Sequence, residues 1–236
     1  MPTGYSFVDG KTVRSLMEAS GQPVSENVVG SIGPTNADWS VIFYFDDIGY
    51  VKDDDKDKLD ADKLLKQFQE GTEQANAYRK KHGNPPIYVT GWQVPPRYNS
   101  ETHNLEWAIK GTCEGEELLN YDTRLLGRKG VMRVKLIVDP KEFPTTFPVF
   151  TNLMAGYKFN SGESYAEYKP GDKVAKYGLG ALVLGGAAVG AAKLGLFAWL
   201  AVFLKKGWKV VVIALVAIAA GAKKILNKIT GNRAED

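Results

Sequence analysis

The chain has 236 residues, 44 % apolar and 24 % charged, which is ordinary globular composition with room for one domain and something more. Its net charge of +3 hides two opposed blocks: from Tyr177 onward eight basic residues face only Glu235 and Asp236, whereas residues 1–176 carry 22 basic and 25 acidic side chains. A mildly acidic body argues against general nucleic-acid binding, which needs a basic face for phosphates, and a single cysteine, Cys113, excludes an intramolecular disulfide and a cysteine-based zinc or iron–sulfur site.

The first residues, Met1-Pro2-Thr3-Gly4-Tyr5, have neither the basic stretch nor the apolar core of a secretory signal. Either the N-terminal side is cytoplasmic, or a signal preceded this numbering. Residues 1–38 are rich in Gly, Pro, Ser and Asn, with a short helix at Lys11–Ala19 and a turn at Gly33-Pro34-Thr35-Asn36. Trp39–Phe45 reads as a buried strand from its aromatic and β-branched content. After the acidic run Asp53–Asp57, Asp60 is placed to cap a helix whose apolar stripe includes Leu64, Leu65, Phe68, Thr72 and Ala75; Lys80, Lys81 and Gly83 stop it.

Four strands are predicted next, at Ile87–Val94, Asn104–Gly111, Glu117–Leu125 and Val131–Val138. Pro95–Ser100 joins the first pair, and Gly127-Arg128-Lys129-Gly130 turns the last. Asp139, Pro140 and Glu142 open a second helix, interrupted at Pro144 and Pro148 and ending near Ala155. Hairpin-linked strands flanked by helices give an α+β fold, an antiparallel sheet with helices packed on it. The polar stretch Tyr157–Pro170 leads toward the C-terminal region as a linker.

Tyr177–Leu204 is almost wholly apolar, interrupted by Lys193, and Trp208–Ala222 is a second apolar run flanked by Lys205, Lys206, Lys209, Lys223 and Lys224. A membrane helix needs about 20 apolar residues, so the two runs predict a C-terminal transmembrane helical hairpin, with Gly207 at its turn and terminal lysines reaching the interface; one span followed by an interfacial second helix is the alternative, and it is easier on the charges. Gly186 and Gly190 form a small-xxx-small pair suited to close helix packing in lipid, between the two spans or in self-association. The expected division is a soluble domain at 1–160, a linker at 161–176, anchoring helices at 177–228 and a polar tail at 229–236.

Few residues suggest chemistry. Asp53, Asp55 and Asp57 match the opening of a calcium loop, but Lys58 stands where glycine is needed and Leu64 where glutamate is needed, so a solvated loop and helix cap is the better reading. His82 and His103, the only histidines, read as surface residues, and Cys113 lacks a basic neighbour to activate it. No phosphate loop, nucleophile elbow or dinucleotide fingerprint occurs, and no cofactor or metal is expected. The strongest candidate surface combines Trp92, Pro95, Pro96, Arg97 and Tyr98 with Arg124, Arg128 and Lys129, since arginines beside aromatics anchor interfaces and bind anionic groups.

Several stretches carry a family resemblance. They are Gly49-Tyr50-Val51-Lys52-Asp53-Asp54-Asp55, Leu64-Leu65, Gly91-Trp92 with Pro95-Pro96-Arg97-Tyr98, Leu105-Glu106-Trp107-Ala108, Leu119 through Val131, and Tyr165-Ala166-Glu167-Tyr168 with Asp172-Lys173, Ala175 and Tyr177-Gly178. This pattern resembles the bacterial domain of unknown function 2167 family. The resemblance implies a Gram-negative protein with a signal peptide, an extracytoplasmic domain and C-terminal membrane helices, and it implies no activity. The function expected is an interaction or ligand-binding module held on the periplasmic side of the inner membrane. A small pore or transport accessory, with Lys193 facing water, and a membrane-bound hydrolase are the alternatives. The expected partners are the lipid bilayer and other envelope proteins or a second copy, not nucleic acid.

Overall fold

Seven strands form one antiparallel sheet in the computed structural model, which describes residues 2–19, 24–81 and 83–185. They are β1 (Tyr5–Asp9), β2 (Val28–Pro34), β3 (Ser40–Asp46), β4 (Tyr88–Asn99), β5 (Asn104–Cys113), β6 (Glu116–Leu126) and β7 (Val131–Ile137). The spatial order is β1-β2-β3-β7-β6-β5-β4. Two meanders, β1 to β3 and β4 to β7, are therefore joined where β3 pairs with β7, from Ser40 opposite Ile137 to Asp46 opposite Val131. Helix α2 (Ala61–Lys81) carries the chain from the centre of the sheet to its far edge.

The cross-strand register decides what each face presents. On one face lie Leu105, Trp107 and Ile109 of β5, Leu126 of β6 and Val131 of β7. Leu64 and Phe68 of α2 pack on them, and α1 (Gly10–Ala19) covers the same face farther along through Val13 and Met17, against Ile42, Tyr44 and Ile137. The opposite face presents Val41, Phe43, Ala108, Tyr121, Leu125, Val134 and Leu136 to α3 (Phe143–Met154), whose Phe143 and Phe150 are buried there. The result is three layers, helices on both faces of the sheet.

Local chemistry accounts for the boundaries. Asp60 caps α2 as expected, its Oδ1 accepting the Lys63 amide at 2.9 Å. Strands β1 and β2 form within the Gly-, Pro-, Ser- and Asn-rich segment 1–38, where the sequence marks no strand. Gly30 is needed for packing there, since a Cβ would fall 2.5 Å from the Phe7 ring. Strand β4 continues through Pro95-Pro96, expected as a loop. As an edge strand it can carry prolines without losing ladder bonds, and its register shifts three times before Arg97. Helix α3 runs unbroken past Pro148, and Pro144 sits in its first turn, where a missing N–H costs nothing.

Residues 161–176, expected as a linker, are docked on the domain. Tyr165 is buried with Val51 and Leu105, and Val174 bridges to Tyr50 as a parallel strand pair. The next turn, α4 (Leu179–Val183), buries Leu179, Leu182 and Val183 in the same cluster, and the Asp55 carboxylate accepts the Leu179 and Gly180 amides at 3.1 and 3.3 Å. The apolar run that begins at Tyr177 thus starts as domain core. Among the described residues no helix is long and apolar enough to cross a membrane. The expected hairpin beyond residue 185, with Gly186, Gly190 and Lys193, lies outside the described residues, as does His82.

Between the parts of the sheet covered by α1 and α2 lies a buried ionic cluster. Arg124 Nη1 donates to Asp122 Oδ1 at 2.9 Å, Lys135 Nζ stands 4.0 Å from the same oxygen, and all three residues are almost fully enclosed. The Arg124 guanidinium lies 4.6 Å from the centre of the Trp107 ring, and that of Arg133 lies 4.8 Å from the centre of Tyr44. Burial works against the Asp122 carboxylate, but Lys135 and Arg124 outweigh it and hold its pKa below the ordinary value. Burial pushes Lys135 down to about 7 from its ordinary 10.5, against the pull of Asp122. A base whose pKa falls on folding opposes folding while it must be charged, and that penalty is relieved as pH rises from about 7 to 10.5. The difference in urea stability between wild type and Lys135→Met, followed by tryptophan fluorescence, is therefore expected to shift in favour of wild type across that window. A pH-independent difference would show that Lys135 keeps its solution pKa.

Candidate functional site

The α3 face of the sheet is not fully covered. A cleft of about 960 Å³ opens where β4, β5 and β6 meet the C-terminal end of α3 and the segment 157–166. Small-molecule sites run to about 300–1,000 Å³, so this is a full-sized one. Phe150 and Met154 from α3, Leu125 from β6, and Tyr157 and Phe159 beyond the helix make the apolar wall. Tyr157 and Phe159 meet edge to face, ring centres 5.3 Å apart, and Phe159 also packs on Gly127, where a Cβ would fall 2.7 Å from its ring.

The polar floor is built by cross-strand pairing. Glu106 stands opposite Arg97 on one side and Thr123 on the other. Its carboxylate accepts from Arg97 Nε and from the Tyr121 hydroxyl, which bridges from the next strand. Tyr121 is almost wholly buried, and burial followed by the neighbouring Glu106 charge raises its phenol far above the ordinary range, so it remains a donor. Thr123 turns its hydroxyl to the Leu105 carbonyl at 3.2 Å.

The β4–β5 turn closes one end of the cleft with a chain of three polar side chains. The Tyr98 hydroxyl donates to Asp53 Oδ2 at 3.1 Å and lies 3.0 Å from His103 Nδ1. His103 has a left-handed backbone, φ 53°, a conformation that non-glycine residues seldom adopt, and its carbonyl accepts the Leu126 amide at 3.0 Å. Its ring stacks on Tyr165 at 4.1 Å; Tyr165 stacks on Tyr50 at 4.4 Å, and Tyr50 meets Tyr168 at 4.3 Å. Burial lowers the His103 pKa, Asp53 opposes that shift, and Lys56 adds to it.

The sequence-predicted surface is divided by the fold. Arg97 and Tyr98 reach the cleft. Trp92 faces the opposite side, donating from Nε1 to the Ala61 carbonyl at 3.1 Å and meeting Phe68 edge on, so it pins α2 to the sheet. Arg124 belongs to the buried ionic cluster. Arg128 clamps the docked C-terminal segment: Nε and Nη2 reach the two Asp172 carboxylate oxygens at 2.6 and 2.8 Å, and Nη1 reaches the Gly162 carbonyl at 3.1 Å. Lys129 pairs with Glu163 beside it. In the acidic loop, Asp53 serves Tyr98 and Asp55 caps α4. Among the described residues no group of three His, Cys, Asp or Glu side chains could hold a metal ion. Cys113 is buried, which pushes its thiol pKa up. His103, expected on the surface, is half-buried and stacked on Tyr165, and it belongs to one site with Glu106 and Tyr121. Only their positions on paired strands, and at the turn between two of them, bring them together.

The model of the family described as "Protein of unknown function (DUF2167)" matches residues 1–217. The chain belongs to that family. No curated protein matches the sequence. Among solved structures, the solution structure of cyanobacterial PsbP (CyanoP) from Synechocystis sp. PCC 6803 is 12 % identical with a TM-score of 0.39, covering 68 % of this chain and 84 % of that one. The crystal structure of the protein of unknown function PA94 from Pseudomonas aeruginosa, described as a putative regulator, is 12 % identical with a TM-score of 0.30, covering 68 % and 85 %. Neither likeness at these scores bears on function.

The Arg128 clamp makes a prediction about the docked segment. Arg128 first, then the Lys169 amide, hold Asp172 at about 2, below its ordinary 3.8. The Ser164 hydroxyl and amide and the Gly162 amide likewise hold Glu167 at about 2. Carboxylates with depressed pKa contribute stability above their unfolded values and lose it as pH falls through the folded ones. Limited proteolysis is expected to spare residues 160–173 down to about pH 4 and to open them as the pH approaches 2. Arg128→Ala should open the same stretch at neutral pH, whereas an equally resistant variant would mean that the Tyr165 packing alone holds it.

Proposed function

We propose that this protein is a membrane-anchored module of the bacterial envelope whose domain binds a small ligand in the cleft between the sheet and α3. The observation that carries the reading is the cleft itself, with an apolar aromatic wall on one side and fixed polar groups on the other. That combination typifies binding sites, where apolar contacts hold a ligand and a few placed hydrogen bonds orient it. The polar groups here are tied to one another, Glu106 by two donors and Tyr98 by two partners, which suits orientation of a ligand more than bond-breaking chemistry. The anchor is the rest of the first apolar run, from residue 186 to Leu204, together with Trp208–Ala222 and their flanking lysines. The periplasmic side is the one the family resemblance implies; with two spans it puts Lys205, Lys206 and Lys209 in the cytoplasm and leaves Lys223, Lys224 and Lys228 on the domain's side.

Two measurements test the two halves of this reading. Full-length protein released from its own membranes in mild detergent is expected to carry a non-covalent small-molecule adduct in native mass spectrometry. Ala155, exposed at the cleft mouth, offers a blocking site: Ala155→Trp should abolish the adduct without lowering the melting temperature by more than a few degrees. An adduct retained at full occupancy in that variant would place ligand binding elsewhere. For topology, Cys113→Ser carrying a reporter cysteine at exposed Ser161 should react with a membrane-impermeant maleimide in intact spheroplasts. Labelling only after lysis would put the domain in the cytoplasm.

A further inference from the structure

The hydrogen-bond chain at the β4–β5 turn narrows the ligand class. A tyrosine hydroxyl has one proton. In Tyr98 that proton goes to Asp53, whose carboxylate can only accept. The contact with His103 must then run the other way, with Nδ1–H donating to the Tyr98 oxygen. This fixes the tautomer: the proton sits on Nδ1 and the lone pair on Nε2. Nε2 has no partner among the described residues, and His103 lines the cleft. Its left-handed backbone and its stacking on Tyr165 hold the ring there as a preset hydrogen-bond acceptor.

The rest of the lining favours a neutral partner. Arg97 is spent on Glu106, and the remaining charged residues at the cleft, Glu101 and Lys158, are one of each sign. No uncompensated charge selects an ion. Beside the acceptors stands the aromatic pair Tyr157 and Phe159, which suits a ligand with an apolar face. A molecule that offers hydroxyl donors around its edge and C–H groups on its face is a pyranose. Resting on the reading of the cleft as a ligand site, we infer that it takes a neutral saccharide, with His103 Nε2 accepting from one sugar hydroxyl and Tyr98 and Asp53 acting as positioning residues.

The groups that face His103 are Tyr98 from β4, Asp53 and Lys56 from the loop before α2, and Tyr165 from the docked segment. Protonation of Nε2 would turn the acceptor into a donor, so saccharide affinity should fall as the solution is acidified through the His103 titration. The test uses the full chain in lipid nanodiscs and isothermal titration with di-N-acetylchitobiose, against its cationic de-acetylated form. The neutral sugar is expected to bind and the cationic one to bind at least about tenfold more weakly. Tyr98→Phe should weaken the neutral sugar by about tenfold, the scale of one oriented hydrogen bond, with an unchanged melting temperature; His103→Leu should abolish it. Solid-state ¹⁵N spectra of histidine-labelled protein should show the Nδ1–H tautomer in wild type and a mixture in Tyr98→Phe. Equal affinity in His103→Leu, or an Nε2–H tautomer in wild type, would overturn the role of His103. Absence of saccharide heat, with the native adduct still present and still lost in Ala155→Trp, would overturn the ligand class and leave the cleft reading standing. Loss of both would remove the cleft reading itself.

Discussion

Pairing of β3 with β7 is the constraint on which the rest of the structure depends. The two strands lie about ninety positions apart in sequence, and seven residue pairs join them. Without that seam the protein would be a three-strand and a four-strand meander, each with one edge too many. With it, the α3 face becomes a continuous apolar floor from Val41 and Phe43 through Val134 and Leu136 to Tyr121 and Ala108. Helix α3 settles on that floor and leaves its C-terminal end short of the β4–β5 corner, which is why the cleft lies there and not elsewhere. The seam is also slow to find, since so long a loop must close before its contacts repay the entropy.

The other face solves a harder problem. Asp122, Arg124 and Lys135 alternate with core residues on central strands and are nearly sealed from water. Ion pairs so placed are weak contributors to stability, because desolvation offsets most of their attraction. Their geometry is nonetheless demanding: the Asp122 carboxylate needs both cations, and Arg124 needs the Trp107 ring beneath it. A one-residue slip of β6 against β5 would move Asp122 and Arg124 to the α3 face, among phenylalanines. The cluster thus acts against wrong registers more than in favour of the right one.

How much of this could be read from residues alone follows from how local each signal is. The α2 helix was legible because Asp60, the apolar stripe and the terminal lysines all lie within one segment, and the β6–β7 hairpin because its glycines flank a basic turn. Strands β1 and β2 were not, since their segment is rich in Gly, Pro, Ser and Asn and Gly33 reads as a turn former, whereas Gly30 and Gly33 serve as close-contact positions under Phe7 and beside Trp39. Pro148 misleads for the converse reason: tertiary packing of Phe147 and Phe150 against Tyr121 outweighs the cost of one missing helix hydrogen bond. Of the candidate site, Arg97 and Tyr98 stood out as an arginine beside an aromatic. Glu106, Tyr121 and His103 had no such mark. Arg124 and Arg128 carried the same mark and turned out to be internal struts, because charge in a sequence does not say whether its partner is a ligand or an aspartate of the same chain.

The turn at Leu179–Val183 bears on how such proteins are divided. Hydropathy rises at Tyr177 and stays high, so a profile draws the edge of the domain there. Yet Leu179, Leu182 and Val183 are as deeply enclosed as Trp107, and the domain's own Asp55 holds the first amides of their helix. Membrane-like composition and core-like placement overlap across these residues, so the physical edge of the domain lies inside the apolar run. A cut made where hydropathy begins to climb would leave a hole in the floor beneath α2, and the fragment's behaviour would report on that wound instead of on the domain.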